Sequence, residues 1–235
     1  MSKTAVNNAF LWLIFLNFAP LNVKNYETMR EVNPQETPRG RQFEIWKNAP
    51  NPMLVFVKKM DVTRLVRISR RRGLKFNMLL DYCIGRAALA QKEFYMLPVG
   101  DKLYEFDAIA VNTMVKNHTG EVSSCDIKFD GDFERYSNDY MKYTSEVATT
   151  CTDRDLSNEC MVIGTSAVVD TELEFAGGMY SGIYNNPYII WGRYSRRFFR
   201  YYLNLSFQFH HTQMDGAHAT RFLNSVQQEI NALRL

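Results

Sequence analysis

In one stretch of the chain apolar and polar residues alternate: Tyr201, Leu203, Leu205, Phe207 and Phe209 are interleaved with Tyr202, Asn204, Ser206 and Gln208. A period of two predicts a β-strand. Beyond it Phe222, Leu223, Val226, Ile230 and Leu233 recur at helical spacing, with Gln227, Gln228, Glu229 and Asn231 on the other faces. That spacing predicts an amphipathic helix. Upstream, the same reading predicts a short helix over 41–46 and a strand over 53–60. A helix from Val62 comes next, capped by Asp61 and ended by Gly73, and then another helix over 77–91. Strands are expected over 94–99, 102–106 and 108–115, a helix over 132–149, and strands over 161–169 and 188–193, the last two separated by a Gly-rich aromatic loop at 175–180. The mixture predicts one domain, an α/β two-layer sandwich. Its sheet is mixed and largely antiparallel, with helices on one face.

With 235 residues, 46% of them hydrophobic, the chain can bury a sizeable core. Its 28 basic and 25 acidic residues are too balanced for a nucleic-acid binder. Cys83, Cys125, Cys151 and Cys160 form no C-x-x-C pair, so neither a zinc site nor a redox motif is suggested. Free thiols in a reducing cytoplasm are the simplest account. Residues 9–16 are strongly apolar, but Asn17 and Pro20 break the run far short of a membrane span. With Lys3 the run has the outline of a signal peptide, without a clear A-x-A cleavage site.

Between the final strand and helix lie three of the four histidines: His210, His211 and His218. A strand–turn–helix passage can hold a side chain in a fixed pose. Imidazole titrates near neutrality, so His211 is a candidate general base. Asp215 can orient a histidine, cap the following helix or pair with a distant arginine. Gly216 gives the turn conformational freedom. Plain structural roles fit the same residues: a His at a strand end, and Asp-Gly as turn and cap. A metal held by His211, Asp215 and His218 is a further alternative.

The pattern His210-His211-x-x-x-Asp215-Gly216-x-His218 resembles the signature of the chloramphenicol acetyltransferase family. Its His-x-x-x-Asp-Gly core is shared with dihydrolipoyl acyltransferases, whereas the paired His and trailing His favour the former. The resemblance runs from about Arg39 to the C-terminus and implies that residues 1–28 are an extension, with Met29 an alternative start, and 29–235 the folded domain. It implies the same α/β sandwich, a cytoplasmic homotrimer with active sites between subunits, no metal, no membrane and no nucleic acid. The co-substrate would be acetyl-CoA and the other substrate a small hydroxyl acceptor. It further implies that His211 is the base, that Asp215 forms a salt bridge with Arg39 (Arg41 being the nearby competitor), and that the Ser166 hydroxyl stabilises the oxyanion. Lys75, Arg193 and Tyr194 match positions near the coenzyme. The chain departs from the family in the acceptor pocket: Trp46 replaces a tyrosine, Val122 a phenylalanine, and Ile190 or Trp191 a threonine. The expected activity is chloramphenicol O-acetylation. The alternatives are another small alcohol or amine as acceptor, acyl transfer to dihydrolipoamide, or a non-catalytic trimeric ligand-binding relative. Against the dihydrolipoamide reading, the chain has no lipoyl domain and no Pro/Ala-rich linker.

Overall fold

The computed structural model describes residues 28–178, 180 and 182–235. The apolar run at 9–16 and almost all of the expected extension lie outside the described residues. In chain order the elements are β1 (Met29–Val32), α1 (Gly40–Trp46), β2 (Met53–Asp61), α2 (Thr63–Arg72), α3 (Phe76–Leu89), β3 (Met96–Val99), β4 (Lys102–Phe106) and β5 (Ile109–Lys116). They continue with β6 (Val122–Phe129), α4 (Phe133–Thr150), β7 (Met161–Val168), β8 (Tyr188–Gly192), β9 (Ser195–Arg197), β10 (Arg200–His210) and α5 (Gly216–Ala232). A seven-stranded sheet runs β2-β10-β8-β7-β5-β6, with β9 on β10; a small sheet runs β1-β4-β3. β7 is parallel to β5 and β8, and the other pairs are antiparallel. This is the expected mixed-sheet sandwich with helices on one face.

The inner face of β10 carries Leu203, Leu205, Phe207 and Phe209, all buried in the main core with Phe222, Val226 and Ile230 of α5. Phe207 and Phe222 meet at 4.6 Å between ring centroids, and Phe94 packs on both rings. The outer face is polar without being wet. The Ser206 hydroxyl accepts from Ala176 N–H at 3.0 Å and the Gln208 side-chain carbonyl from Gly178 N–H at 2.9 Å. The loop after β7 thus lies over the middle of β10, so the alternation separates the two faces of a covered strand.

Several boundaries differ from the sequence reading, each for a local reason. Residues 92–95 form a 3-10 turn instead of the start of a strand, leaving β3 to begin at Met96. Helix α2 begins at Thr63, with Asp61 accepting the Thr63 N–H at 3.0 Å, and ends at Gly73, whose φ of 69° suits glycine. Strand β6 is absent from the sequence reading because its Ser123, Ser124 and Asp126 are polar yet buried. They hydrogen-bond to Asn117 and Asn112 on or beside the neighbouring strand, Asn112 Nδ2 donating to both Ser124 Oγ and Asp126 Oδ1 at 2.6 Å.

Candidate active site

His211 leaves the end of β10 in a turn that returns the chain into α5. Its Nδ1 lies 2.9 Å from the Met214 carbonyl oxygen, which can only accept. The hydrogen therefore sits on Nδ1 and the lone pair on Nε2, the tautomer a base requires. The Trp46 ring, at the end of α1, stands 4.4 Å from the His211 ring and inclined by 35°. His210 is buried, with Nδ1 against the Thr212 hydroxyl at 2.7 Å, and burial, then the neighbouring His211, bring its ring down to about 4. His210 is thus a neutral packing residue.

The turn itself is gripped by Arg39, whose side chain is only 9% exposed. Its Nη2 donates to His211 O at 2.6 Å, its Nε to Thr212 O at 3.3 Å, and its Nη1 to Asp215 Oδ2 at 2.8 Å. Arg41 is exposed. Asp215 is also the N-cap of α5, its Oδ1 accepting from Ala217 N–H at 3.0 Å and His218 N–H at 3.2 Å. The cap and ion-pair roles left open by the spacing are both filled, and the ring that Asp215 contacts is that of His218, at 2.6 Å. Burial opposes ionisation of Asp215, but the His218 N–H and ring and the Arg39 charge outweigh it and hold the carboxyl at about 2. Of the triad considered for a metal, His218 has both ring nitrogens turned to carboxylates and His211 Nδ1 is turned to a carbonyl. No group of three or more His, Cys, Asp or Glu able to hold a metal occurs among the described residues.

Ser166 lies elsewhere. On the outer face it sits in register with Ile190 of β8, which sits in register with Ser206 of β10. His210 is four residues beyond Ser206, so the His211 turn is about 13 Å along the strands and about 10 Å across them from Ser166. Ser166 shares a hydrogen bond with the Tyr188 hydroxyl, which burial pushes up to about 12 despite that bond. Sequence reasoning passes over Tyr188, which reads there as one more apolar strand position. Val122 opens β6, at the sheet edge farthest from β2. Within one chain, then, Arg39, Trp46, His211 and Asp215 form one cluster, Ser166 and Ile190 a second, and Val122 stands apart.

Lys75, Arg193 and Tyr194 are brought together in a third place, a cavity of about 510 Å³ shared with Phe76, Tyr140 and Trp191. The Phe76 and Tyr194 rings meet at 4.9 Å, and Lys75 Nζ lies 5.7 Å above the Tyr140 ring. A larger cavity of about 640 Å³, between α2 and the β9–β10 hairpin, is lined by Arg64, Arg67, Arg71 and Arg200 and by none of the expected site residues. Arg64 and Arg71 in it already bind the carbonyls of Leu233 and Leu235.

Residues 24–227 match the family model described as chloramphenicol acetyltransferase. The chain is 22% identical over 222 residues to chloramphenicol acetyltransferase 3 of Escherichia coli, covering 92% of this chain and 99% of that one. It is 24% identical to the Clostridium perfringens chloramphenicol acetyltransferase over 84% of this chain and 92% of that protein. Among solved structures, a chloramphenicol acetyltransferase superposes with a TM-score of 0.75 at 18% identity, covering 86% of this chain and 99% of that one. A probable dihydrolipoamide acetyltransferase from Listeria monocytogenes 4b F2365 superposes with a TM-score of 0.63 at 13% identity, covering 89% and 95%.

Proposed function

Since the chain belongs to the chloramphenicol acetyltransferase family and is an acyltransferase, we propose that it transfers acetyl from acetyl-CoA to the hydroxyl of a small acceptor, chloramphenicol first among them. The observation that carries this reading is the lone pair left on Nε2 of His211, in a ring that stands against Trp46 and whose Nδ1 is committed to Met214 O. In the proposed reaction Nε2 takes the proton of the acceptor hydroxyl as that oxygen attacks the thioester carbon. The carbonyl oxygen gains the negative charge, and the Ser166 hydroxyl donates to it. When the C–S bond breaks, the thiolate recovers the proton from His211. Positioning supplies the rest of the rate, so no acyl-enzyme is needed.

We assign the cavity of Lys75, Arg193 and Tyr194 to the coenzyme, the cations suiting its phosphates and the ring its adenine. Arg39 and Asp215 are assigned to fixing the turn. The distance between Ser166 and His211 in one chain supports a homotrimer in which the base of one subunit serves the sheet of its neighbour. Trp46, Ile190 and, from a neighbouring subunit, Val122 are assigned to the acceptor pocket. Their departure from the family pattern favours, as the second reading, an acceptor other than chloramphenicol: another small alcohol or an amine. We place the enzyme in the cytoplasm. In support, its four cysteines are free and no helix among the described residues is long and apolar enough to cross a membrane. The test is purified protein with acetyl-CoA, a panel of acceptors and a thiol reagent. Coenzyme A release that needs both an acceptor and His211 is expected; release with no acceptor in the panel counts against the reading.

A further inference from the structure

The turn that carries His211 is held from a second side, by a segment to which no role has been given. Gln213, in the middle of the turn, donates from Nε2 to the backbone carbonyls of Glu93 and Met96. The Glu93 side chain reaches past it to α5, where Oε1 lies 3.0 Å from His218 Nε2. On the other edge of the same imidazole, Nδ1 lies 2.6 Å from Asp215 Oδ1. Asp215 N–H also points at this Nδ1, at 3.4 Å, closing a capping box at the start of α5. Carboxylates only accept, so the contact with Glu93 takes its hydrogen from His218 Nε2. One path of polar contacts thus runs from Arg39 through Asp215 and His218 to Glu93. His218 and Glu93 are only 18% and 19% exposed, so the middle of the path is poorly screened.

We propose that Glu93 is a positioning residue for acetyl transfer: by accepting from His218 Nε2 it fixes the ring that holds Asp215, and so fixes the turn from which His211 projects. Glu93 touches no reacting atom. It closes a clamp whose other jaw is Arg39, so that the base is held between the N-terminal segment and the 92–95 turn. The proposal rests on His211 being the base. A solvated surface acid is a poor account of Glu93, whose Oε2 is buried with no hydrogen-bond partner among the described residues. Such a group is retained against a desolvation penalty, which a role elsewhere in the site explains.

The test uses the full chain and the coenzyme A release assay. Glu93→Ala is expected to lower kcat by about ten- to a hundredfold, the scale of a misplaced catalytic group, with the KM for acetyl-CoA unchanged. Glu93→Gln keeps an acceptor for Nε2–H and is expected to recover kcat to within about threefold of the wild type. An unchanged kcat in Glu93→Ala, or a loss that Glu93→Gln does not repair, overturns the proposal. If Glu93→Ala does not fold, His218→Asn replaces it, with the same loss of kcat required. The failure of the base assignment is read separately: His211→Ala would stay active, while a double-mutant cycle of Glu93→Ala and His218→Asn in melting temperature would still report their contact.

Discussion

Arg39 and Asp215 lie 176 residues apart in the chain and meet at 2.8 Å. The arginine comes from the N-cap of α1 and the aspartate from the N-cap of α5, so one ion pair ties together two helix starts. Because the same guanidinium also holds two carbonyls of the turn, breaking the pair disturbs both the cap and the turn that carries His211. Asp215→Asn and Arg39→Val are each expected to lower the melting temperature and the turnover. The stability loss should be about 1–3 kcal/mol, less than for a sealed pair because the Asp215 side chain is 35% exposed. The double mutant should lose less than the sum of the singles. Additive losses in a thermal-melt cycle would dissolve the pair.

His211→Ala should reduce acetyl transfer by about a hundred- to ten-thousandfold, the usual worth of a placed general base, while the protein melts cooperatively as before. His210→Ala should leave most of the rate and cost stability instead, since His210 is buried and bonded to Thr212. The opposite pattern in steady-state kinetics would exchange the two assignments.

Asp81 provides a pH test unrelated to the reaction. It is fully buried on α3, with the Thr165 hydroxyl 3.0 Å from Oδ1, and burial lifts it from 3.8 to about 8 against the hydroxyls of Thr165 and Thr113. In the fold it stays protonated where the unfolded chain has ionised. Its contribution is therefore complete below its unfolded value and is lost as pH rises through the interval from 3.8 to about 8. Asp81→Asn removes the titration. The variant should gain on the wild type in melting temperature as pH is raised towards about 8, and the gap should narrow towards 3.8. Parallel curves across that range would mean that Asp81 ionises normally.

Gly192 ends β8 beneath the loop that follows β7. A Cβ there would meet Leu173 N at 2.5 Å and Thr171 O at 2.7 Å, both backbone atoms. Thr171 O also accepts the Arg193 N–H at 2.7 Å, so the loop must move away from the cavity wall. Gly192→Ala should destabilise by about 1–3 kcal/mol and raise the KM for acetyl-CoA. An unchanged KM would separate the cavity from the coenzyme.

Contact range decides how much of this protein is legible in its sequence. Strand β10 and helix α5 are legible because each writes its period into consecutive residues. The Arg39–Asp215 contact is legible only through the resemblance, since spacing alone leaves Asp215 three roles. Strand β6 is hidden because its buried Ser123, Ser124 and Asp126 look like surface residues until their partners are known. Glu93 is invisible for the same reason. Nothing near it in the chain indicates His218, far along the sequence, and the contact exists only once the 92–95 turn docks against α5.

The distance between Ser166 and His211 has a consequence for inheritance. If each working centre takes its base from one subunit and its hydroxyl from the next, His211→Ala and Ser166→Ala damage opposite halves of a centre. Two crippled parents produced in the same cell would then complement each other. Random trimers of equal amounts would restore about a quarter of the centres, because each half is intact with even odds in a cyclic assembly. A population carrying both defective alleles would keep a phenotype that neither allele supports alone.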